Sequence, residues 1–317
     1  MNNQNNKKAV IIGCGSIGLR YLRLLSELGY LVGYYDLKKI NISTISNEVK
    51  VFDTIEASIA SKPDIIIIST PPNSHLLCLK LAIKSEAKIL LEKPLAASKQ
   101  DSQGILEIAQ ENVGRIWCVS NMRYHVAFQI LKKNLSSLGK VYYATSHFSH
   151  RLSQMRAINS NVFASKKDEG GVILDCVHDI DLLSKLFGKL SFVNSWIASI
   201  GYEKIEAEDH AYLWLTGNNG ERISMHLDFL SRSKSRGIKI VGEKGTLIWE
   251  SHGKSPELAS VKFLGTDGLI NSFLDNSPLS NDLAYKEMII DFTNQCKKLQ
   301  TVKEASEILN IALKARY

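Results

Sequence analysis

The chain has 317 residues, 44% hydrophobic and 22% charged, which is room for a sizeable core and for two domains. No apolar run approaches the ~20 residues that cross a bilayer, and the opening MNNQNN lacks the apolar stretch of a secretory signal, so it reads as a short disordered tail. The net charge of +7 is spread over dispersed or paired basic residues such as Lys38-Lys39 and Lys166-Lys167, which argues against nucleic acid and for an anionic small substrate.

Ala9 to Ile12 is a short run rich in β-branched residues, the pattern of a buried parallel strand. Gly13, Gly15 and Gly18 follow as G-x-G-x-x-G, where an amphipathic helix opens at Ser16-Ile17 and continues to Leu28. Gly13 allows the tight turn, Gly15 lets backbone approach a pyrophosphate, and Gly18 lets helix and strand pack closely. The helix N-terminus offers N–H groups and positive dipole to the phosphates. The next apolar run, Tyr30 to Tyr35, ends at Asp36. A carboxylate there accepts both ribose hydroxyls of an adenosine and repels a 2′-phosphate, so NAD is expected over NADP. Lys38 and Lys39 can receive a 2′-phosphate, which makes the expected preference modest.

Strands are expected at Val49–Phe52, Asp64–Ser69, Ala87–Leu91 and Arg115–Ser120, alternating with helices at Thr54–Ser61, Asn73–Ser85 and Ser98–Gln110. This is the βαβ pattern of a doubly wound parallel sheet, whose ligands bind beyond the C-terminal strand ends. Those ends carry Thr70-Pro71-Pro72-Asn73-Ser74-His75, Glu92-Lys93-Pro94 and Asn121-Met122-Arg123-Tyr124. The pattern then changes, so the domains are drawn at 1–122 and 123–317. After a helix at Val126–Leu135 come strand-like runs at Lys140–Ser149, Phe192–Ser199, His210–Thr216, Glu221–Leu230, Gly237–Gly242, Thr246–Glu250 and Val261–Leu264. Their alternation and short Gly/Asn turns predict an open, mainly antiparallel sheet. A polar segment, Arg151 to Glu169, and a helix, Val172 to Phe187, interrupt them. Ser251 to Asn281 has many loop residues, and beyond Val261–Leu264 its sequence marks no clear element. Helices at Asp282–Leu299 and Lys303–Arg316 close the chain and are candidates to pack back on the first domain. Trp196, Tyr212, Trp214 and Phe229 on the strands suggest a sheet face covered by a second subunit, in a homodimer or homotetramer.

Lys93 stands at the end of an apolar strand, where a lysine can bond a substrate hydroxyl and steady a developing alkoxide. In Gly170-Gly171-Val172-Ile173-Leu174-Asp175-Cys176-Val177-His178-Asp179, a helix that begins near Val172 sets Asp175 and His178 three apart on one face. That segment allows two accounts: a carboxylate-steadied proton acceptor, or a packed face whose acids cap and solvate. His147-x-x-His150 has no Cys or acid to complete a metal set and reads as strand surface. Five widely spaced cysteines, without a C-x-x-C pair, argue against a disulfide framework or zinc site and fit a reducing cytosol.

The glycine motif at 13–18, Asp36, the Thr-Pro-Pro-Asn-Ser-His stretch at 70–75, Glu-Lys-Pro at 92–94 and the Gly-Gly…Asp…His segment at 170–178 together resemble the Gfo/Idh/MocA oxidoreductases, the glucose–fructose oxidoreductase and inositol dehydrogenase family. The resemblance extends over essentially the whole chain. It implies an N-terminal Rossmann domain, a C-terminal α+β domain, and NAD(P)-dependent chemistry on a sugar, polyol or related hydroxy compound. It implies a catalytic set of Lys93, Asp175 and His178, the histidine accepting the proton and the lysine polarising the reacting oxygen. Cofactor contacts are expected from Gly13, Gly15, Ser16, Ile17, Gly18, Asp36, Thr70, Pro71, His75, Glu92 and Lys93, and substrate contacts from Arg123, Tyr124, Arg151 and Asp179, with no metal. One departure stands out. The family pattern has three residues between the Asp and the His, and here there are two, Cys176-Val177. This shortened form resembles members associated with bacterial surface-sugar biosynthesis, which points to a nucleotide-linked or amino sugar. The alternative within the same resemblance is a regulator that binds dinucleotide without turnover.

Overall fold

Alternation of apolar runs and amphipathic helices builds the first unit, residues 1–119 together with 289–307, in the computed structural model. The structure describes residues 7–38, 40, 49–155, 163–167, 169–201, 205–254 and 256–316. The expected N-terminal tail, Lys39 and the middle of the polar segment 151–169 lie outside the described residues. The elements are β1 (Lys8–Ile12), α1 (Ser16–Glu27), β2 (Leu31–Tyr35), β3 (Lys50–Val51), α2 (Ile55–Ala60), β4 (Ile65–Ile68), α3 (His75–Ala82), β5 (Lys88–Leu91), α4 (Lys99–Glu111) and β6 (Ile116–Cys118). The strand order is β6-β5-β4-β1-β2-β3, all parallel, and a short strand at Gln300–Thr301 adds antiparallel to β6. Strand order reverses beside β1, so the loop after β1 opens at the switch point where such sheets bind ligands. The four isoleucines of β4 are all buried, as a central parallel strand requires. Each contributes roughly 1.5–3 kcal/mol through burial. Helix starts follow local capping: Thr54 Oγ1 accepts from Ala57 N at 3.0 Å, and Ser98 Oγ from Asp101 N at 3.1 Å.

The second unit comprises residues 120–288 and 308–317. Its elements are α5 (Val126–Lys133), β7 (Val141–Ser149), α6 (Leu152–Met155), α7 (Val172–Asp175), α8 (Val177–Phe187), β8 (Ser191–Ala198), β9 (His210–Thr216), β10 (Arg222–Asp228), β11 (Ser235–Gly242), β12 (Gly245–His252), β13 (Glu257–Gly265) and β14 (Ile270–Leu279). Then α9 (Asn281–Thr293) begins in this unit, and α10 (Val302–Arg316) ends in it. The sheet runs β14-β13-β12-β11-β7-β10-β9-β8; β7 and β10 pair in parallel and the other neighbours antiparallel. One face buries Ala144, Phe148, Met225, Leu213, Ile238, Ile240, Leu247, Trp249 and Val261, with α5 and α8 packed beside it. The opposite face leaves Tyr143, Trp196, Tyr212 and Trp214 partly exposed.

Three expectations change here. Phe229 is fully buried beyond the end of β10 and does not belong to the open aromatic face. The region Ser251 to Asn281, where only Val261–Leu264 reads as a strand, contains the longer β13 and also β14; β14 is an edge strand exposed on both faces, so no alternation marks it in the sequence. The helix expected over Val172–Phe187 breaks at Cys176 (φ −101°, ψ 23°), which separates α7 from α8.

Candidate active site

In the first unit, the loop after β1 has the conformation its glycines permit. Gly13 has φ +89°, and a Cβ there would meet the Ser69–Thr70 backbone at 2.8 Å. At Gly18 an added Cβ would stand 2.2 Å from the Gly13 carbonyl oxygen, so only glycine lets α1 close on the turn. Gly15 differs: nothing lies within 4 Å of where its Cβ would be, and Gly15 and Ser16 are exposed. That open backbone at the start of α1 has the space and the N–H groups a pyrophosphate needs. Ile17 beside it is half-buried.

Asp36 borders the same loop. Its Oδ2 accepts from Cys14 N at 2.6 Å and its Oδ1 from Lys38 N at 2.8 Å. Each oxygen keeps a second lone pair, so the carboxylate retains capacity for ribose hydroxyls. Burial, followed by the nearby Asp36 charge, pushes the Cys14 thiol up to about 12, which leaves it inert as a nucleophile.

Two further strand ends in this unit are tied together through His75, whose ring is fully buried. Its Nδ1 lies 3.1 Å from the Leu95 carbonyl and its Nε2 2.9 Å from the Thr70 carbonyl. Burial lowers its proton affinity. The ring is therefore spent on holding the Thr70-Pro71 and Glu-Lys-Pro loops, and it presents no surface to a cofactor. Thr70 is half-buried and Pro71 exposed. Glu92 is likewise buried: Oε1 accepts from Tyr21 Oη at 2.6 Å and Oε2 from Lys93 N at 2.9 Å. It anchors the start of the Lys93–Pro94 turn, a cis peptide, to α1. Lys93 is half-buried at the end of β5.

The second unit holds the Asp175–His178 segment. Gly171 has φ +98°, and a Cβ there would collide with the Glu208 carboxylate at 2.1 Å. The Glu208 carbonyl accepts from Val172 N at 3.0 Å, and its carboxylate pairs with Arg316 of α10 at 2.9 Å. This fixes where α7 begins. Asp175, the last residue of α7, is buried; His178, in the first turn of α8, is half-buried. The break at Cys176 means that the two do not lie on one continuous helix, as their spacing alone suggests.

Two buried ion pairs clamp α8. Asp179 accepts from Arg236 of β11 (Nε–Oδ1 3.0 Å, Nη2–Oδ2 3.3 Å), and Asp181 accepts from Arg123 (Nε–Oδ2 2.8 Å, Nη2–Oδ1 2.5 Å). Arg123 and Asp179, expected to touch substrate, are thus committed to internal partners: their exposures are 3% and 1%. Fork-to-carboxylate pairs of this kind fix geometry as well as charge. They hold the helix turn that carries His178. Tyr124 is buried and Arg151 half-buried beside the end of β7, where Arg151 N donates to the Ser231 carbonyl at 2.7 Å.

Beyond those residues lies a set that sequence reading missed. His150 is not strand surface; it is only 4% exposed. Lys234, just before β11, pairs with Glu257, which also lies 3.1 Å from His125 Nε2. Burial would raise Glu257, but these two partners hold it far below the usual carboxylate range. The polar run Ser231-Arg232-Ser233-Lys234-Ser235-Arg236, a basic stretch entering a strand, is the signal the sequence offers for it. No His/Cys/Asp/Glu group among the described residues could hold a metal ion, and no helix among them is long and apolar enough to cross a membrane.

Residues 7–119 match the model of an oxidoreductase family with an NAD-binding Rossmann fold, and residues 128–248 match the GFO/IDH/MocA C-terminal domain. The chain belongs to the Gfo/Idh/MocA oxidoreductases. A UDP-N-acetylglucosamine 3-dehydrogenase of Acidithiobacillus ferrooxidans is 23% identical over 73% of this chain and 69% of its own length. A glucose-6-phosphate 3-dehydrogenase of Bacillus subtilis is 27% identical over 57% of this chain and 54% of its own. Among solved structures, the WlbA dehydrogenase of Bordetella pertussis, in complex with NADH and UDP-GlcNAcA, superposes with a TM-score of 0.78 at 20% identity, over 98% of this chain and 95% of that one. That likeness shows the shared fold. As a Gfo/Idh/MocA member the protein is an NAD-binding oxidoreductase, and the Gly13–Gly18 loop with Asp36 are the residues that would hold the dinucleotide.

Proposed function

We propose that this Gfo/Idh/MocA protein transfers a hydride between NAD(H) and a CH–OH or keto carbon of a sugar, with a nucleotide-linked or amino sugar as the favoured class. The supporting observation is the placement of His178: a half-buried imidazole in the first turn of a helix whose next residues, Asp179 and Asp181, are each locked by a buried arginine. A positioned imidazole accepts a hydroxyl proton near neutral pH. Lys93 stabilises the oxygen, and nicotinamide takes or gives the hydride. Asp175, across the break at Cys176, is a positioning residue for the α7–α8 junction. The names of the two relatives described above, each a sugar 3-dehydrogenase, support the substrate class. Asp36 beside the glycine loop supports NAD over NADP.

The test is NADH formation with a panel of UDP-sugars, sugar phosphates and free sugars. NAD+ is expected to serve better than NADP+, and His178→Ala is expected to abolish turnover while cofactor binding persists. Absence of turnover with every sugar, in a protein that binds NAD+, would overturn the reading.

The open face of the second unit also supports a homo-oligomer: Trp196, Tyr212 and Trp214 remain between 39% and 50% exposed there, an aromatic patch of the kind that marks an interface. Light scattering at micromolar concentration is expected to give a dimer or tetramer. A monomer would count against it.

A further inference from the structure

At the ends of β7, β11, β12 and β13, on the face that the helices cover, four positions fall in one row. Ser235 is opposite both Ser149 and His252, so one residue further Lys234 stands opposite His150 and Gly253. The Lys234 carbonyl accepts from Gly253 N at 3.3 Å, which confirms that register. Since His252 is opposite Leu258, Glu257 completes the row beyond Gly253, and Lys254 follows immediately in the chain. Neighbouring strands lie about 4.8 Å apart, so His150 and Lys234 are direct neighbours, and Lys254 is close enough for its charge to act on His150.

Three observations distinguish this region from ordinary surface charge. His150 is only 4% exposed, yet among the described residues its ring has no hydrogen-bond partner. Lys254 is exposed and has no carboxylate partner among the described residues. Burial, with Lys254 and Lys234 following as causes, brings the His150 proton affinity down to about 4, so the imidazole is neutral and the two ammonium groups are its near neighbours. Glu257 offsets Lys234, which leaves Lys254 as the uncompensated charge and His150 as the unused donor.

The row also adjoins the proposed chemistry. Lys234 precedes Arg236 by two residues on the same strand face, and Arg236 grips Asp179, the residue after His178. His178 is thus one residue from a carboxylate that is joined to the strand entered by Lys234.

We propose that His150, Lys234 and Lys254 form a subsite for an oxyanion substituent of the sugar, a phosphate or a carboxylate. This rests on the sugar-oxidoreductase reading. The neutral His150 donates one N–H to the oxyanion, and Lys254 supplies the charge. A neutral sugar leaves the donor on His150 unmet.

The test is equilibrium binding by calorimetry to the intact protein with NAD+ present, using UDP, glucose 6-phosphate and glucuronate as probes and glucose as the neutral control. At least one anionic probe is expected to bind more tightly than glucose. Lys254→Glu and His150→Ala are each expected to weaken it about tenfold or more, with NAD+ affinity and melting temperature held. UDP or glucose 6-phosphate winning identifies a phosphate subsite, and glucuronate winning a carboxylate one. Equal binding of anionic and neutral probes, or unchanged affinity in Lys254→Glu, overturns the proposal. Binding needs no turnover, so the two readings separate. An anion held by this row without hydride transfer would sink the oxidoreductase reading alone, while sugar turnover indifferent to both variants would sink the subsite alone.

Discussion

Lys93→Ala is expected to lower turnover about 10²–10³-fold, the usual effect of removing one preorganised stabiliser of developing charge. The fold should survive. Lys93 is a half-buried side chain at a strand end, and the turn it occupies is anchored by other groups: Glu92 accepts from Lys93 through the backbone N–H, and His75 holds the Leu95 carbonyl. Those bonds do not depend on the ammonium. NAD+ affinity and melting temperature are therefore expected near those of the unaltered protein, with the loss confined to the chemical step. Lys93→Arg should rescue poorly, because a planar, permanently charged guanidinium does not replace a compact ammonium that can exchange a proton. Steady-state turnover, with cofactor titration and thermal melting as controls, checks the result. Near-normal turnover in Lys93→Ala would remove the lysine from the mechanism.

Asp181→Ala is expected to cost about 3–5 kcal/mol of stability, since it removes the carboxylate facing a guanidinium that is almost wholly buried. Exposed pairs are worth far less, about 0–1 kcal/mol; here the burial decides the magnitude, with Arg123 and Asp181 at 3% and 4% exposure. Replacing both partners with apolar residues, Arg123→Met with Asp181→Leu, should recover most of the stability, because no charge is then left buried. It should not recover turnover, because α8 loses the fork that sets the azimuth of His178. Urea unfolding of the single and double variants, followed by kinetics on the double, separates the two effects. A single variant within about 1 kcal/mol of the parent would show that this pair carries little.

These two variants touch features of different origin. Lys93 is legible in the sequence, because a lysine directly after an apolar parallel strand sits where doubly wound sheets build their sites. The glycine loop is legible for a related reason: φ constraints and close backbone approach restrict a position to glycine, and the restriction is local. Asp36 follows, as the acid at the end of the next strand. The broken helix at Cys176 is not legible, because neighbours three apart share a face only if the helix is continuous. The start of α7 is likewise set from outside the segment, by Glu208 and Arg316, which are distant in the chain. A charge at a strand end or helix start has no visible partner in sequence, so Arg123 and Asp179 read there as substrate contacts. Their partners, Asp181 and Arg236, are 58 and 57 residues away.

The row of His150, Lys234 and Lys254 makes the same point from the other side. In sequence they are the second histidine of His147-x-x-His150 and two lysines in polar stretches, with nothing periodic to connect them. The antiparallel register of β7, β11 and β12 sets His150, Lys234 and Gly253 opposite one another, and Lys254 follows Gly253 in the chain. Sequence by itself determined what one strand and its following turn decide: the parallel sheet, the dinucleotide loop, the acid after β2 and the lysine after β5. Tertiary structure alone decided which charges are spent in buried pairs and which are not, because that outcome depends on pairing across strands and helices whose separation along the chain leaves no local trace.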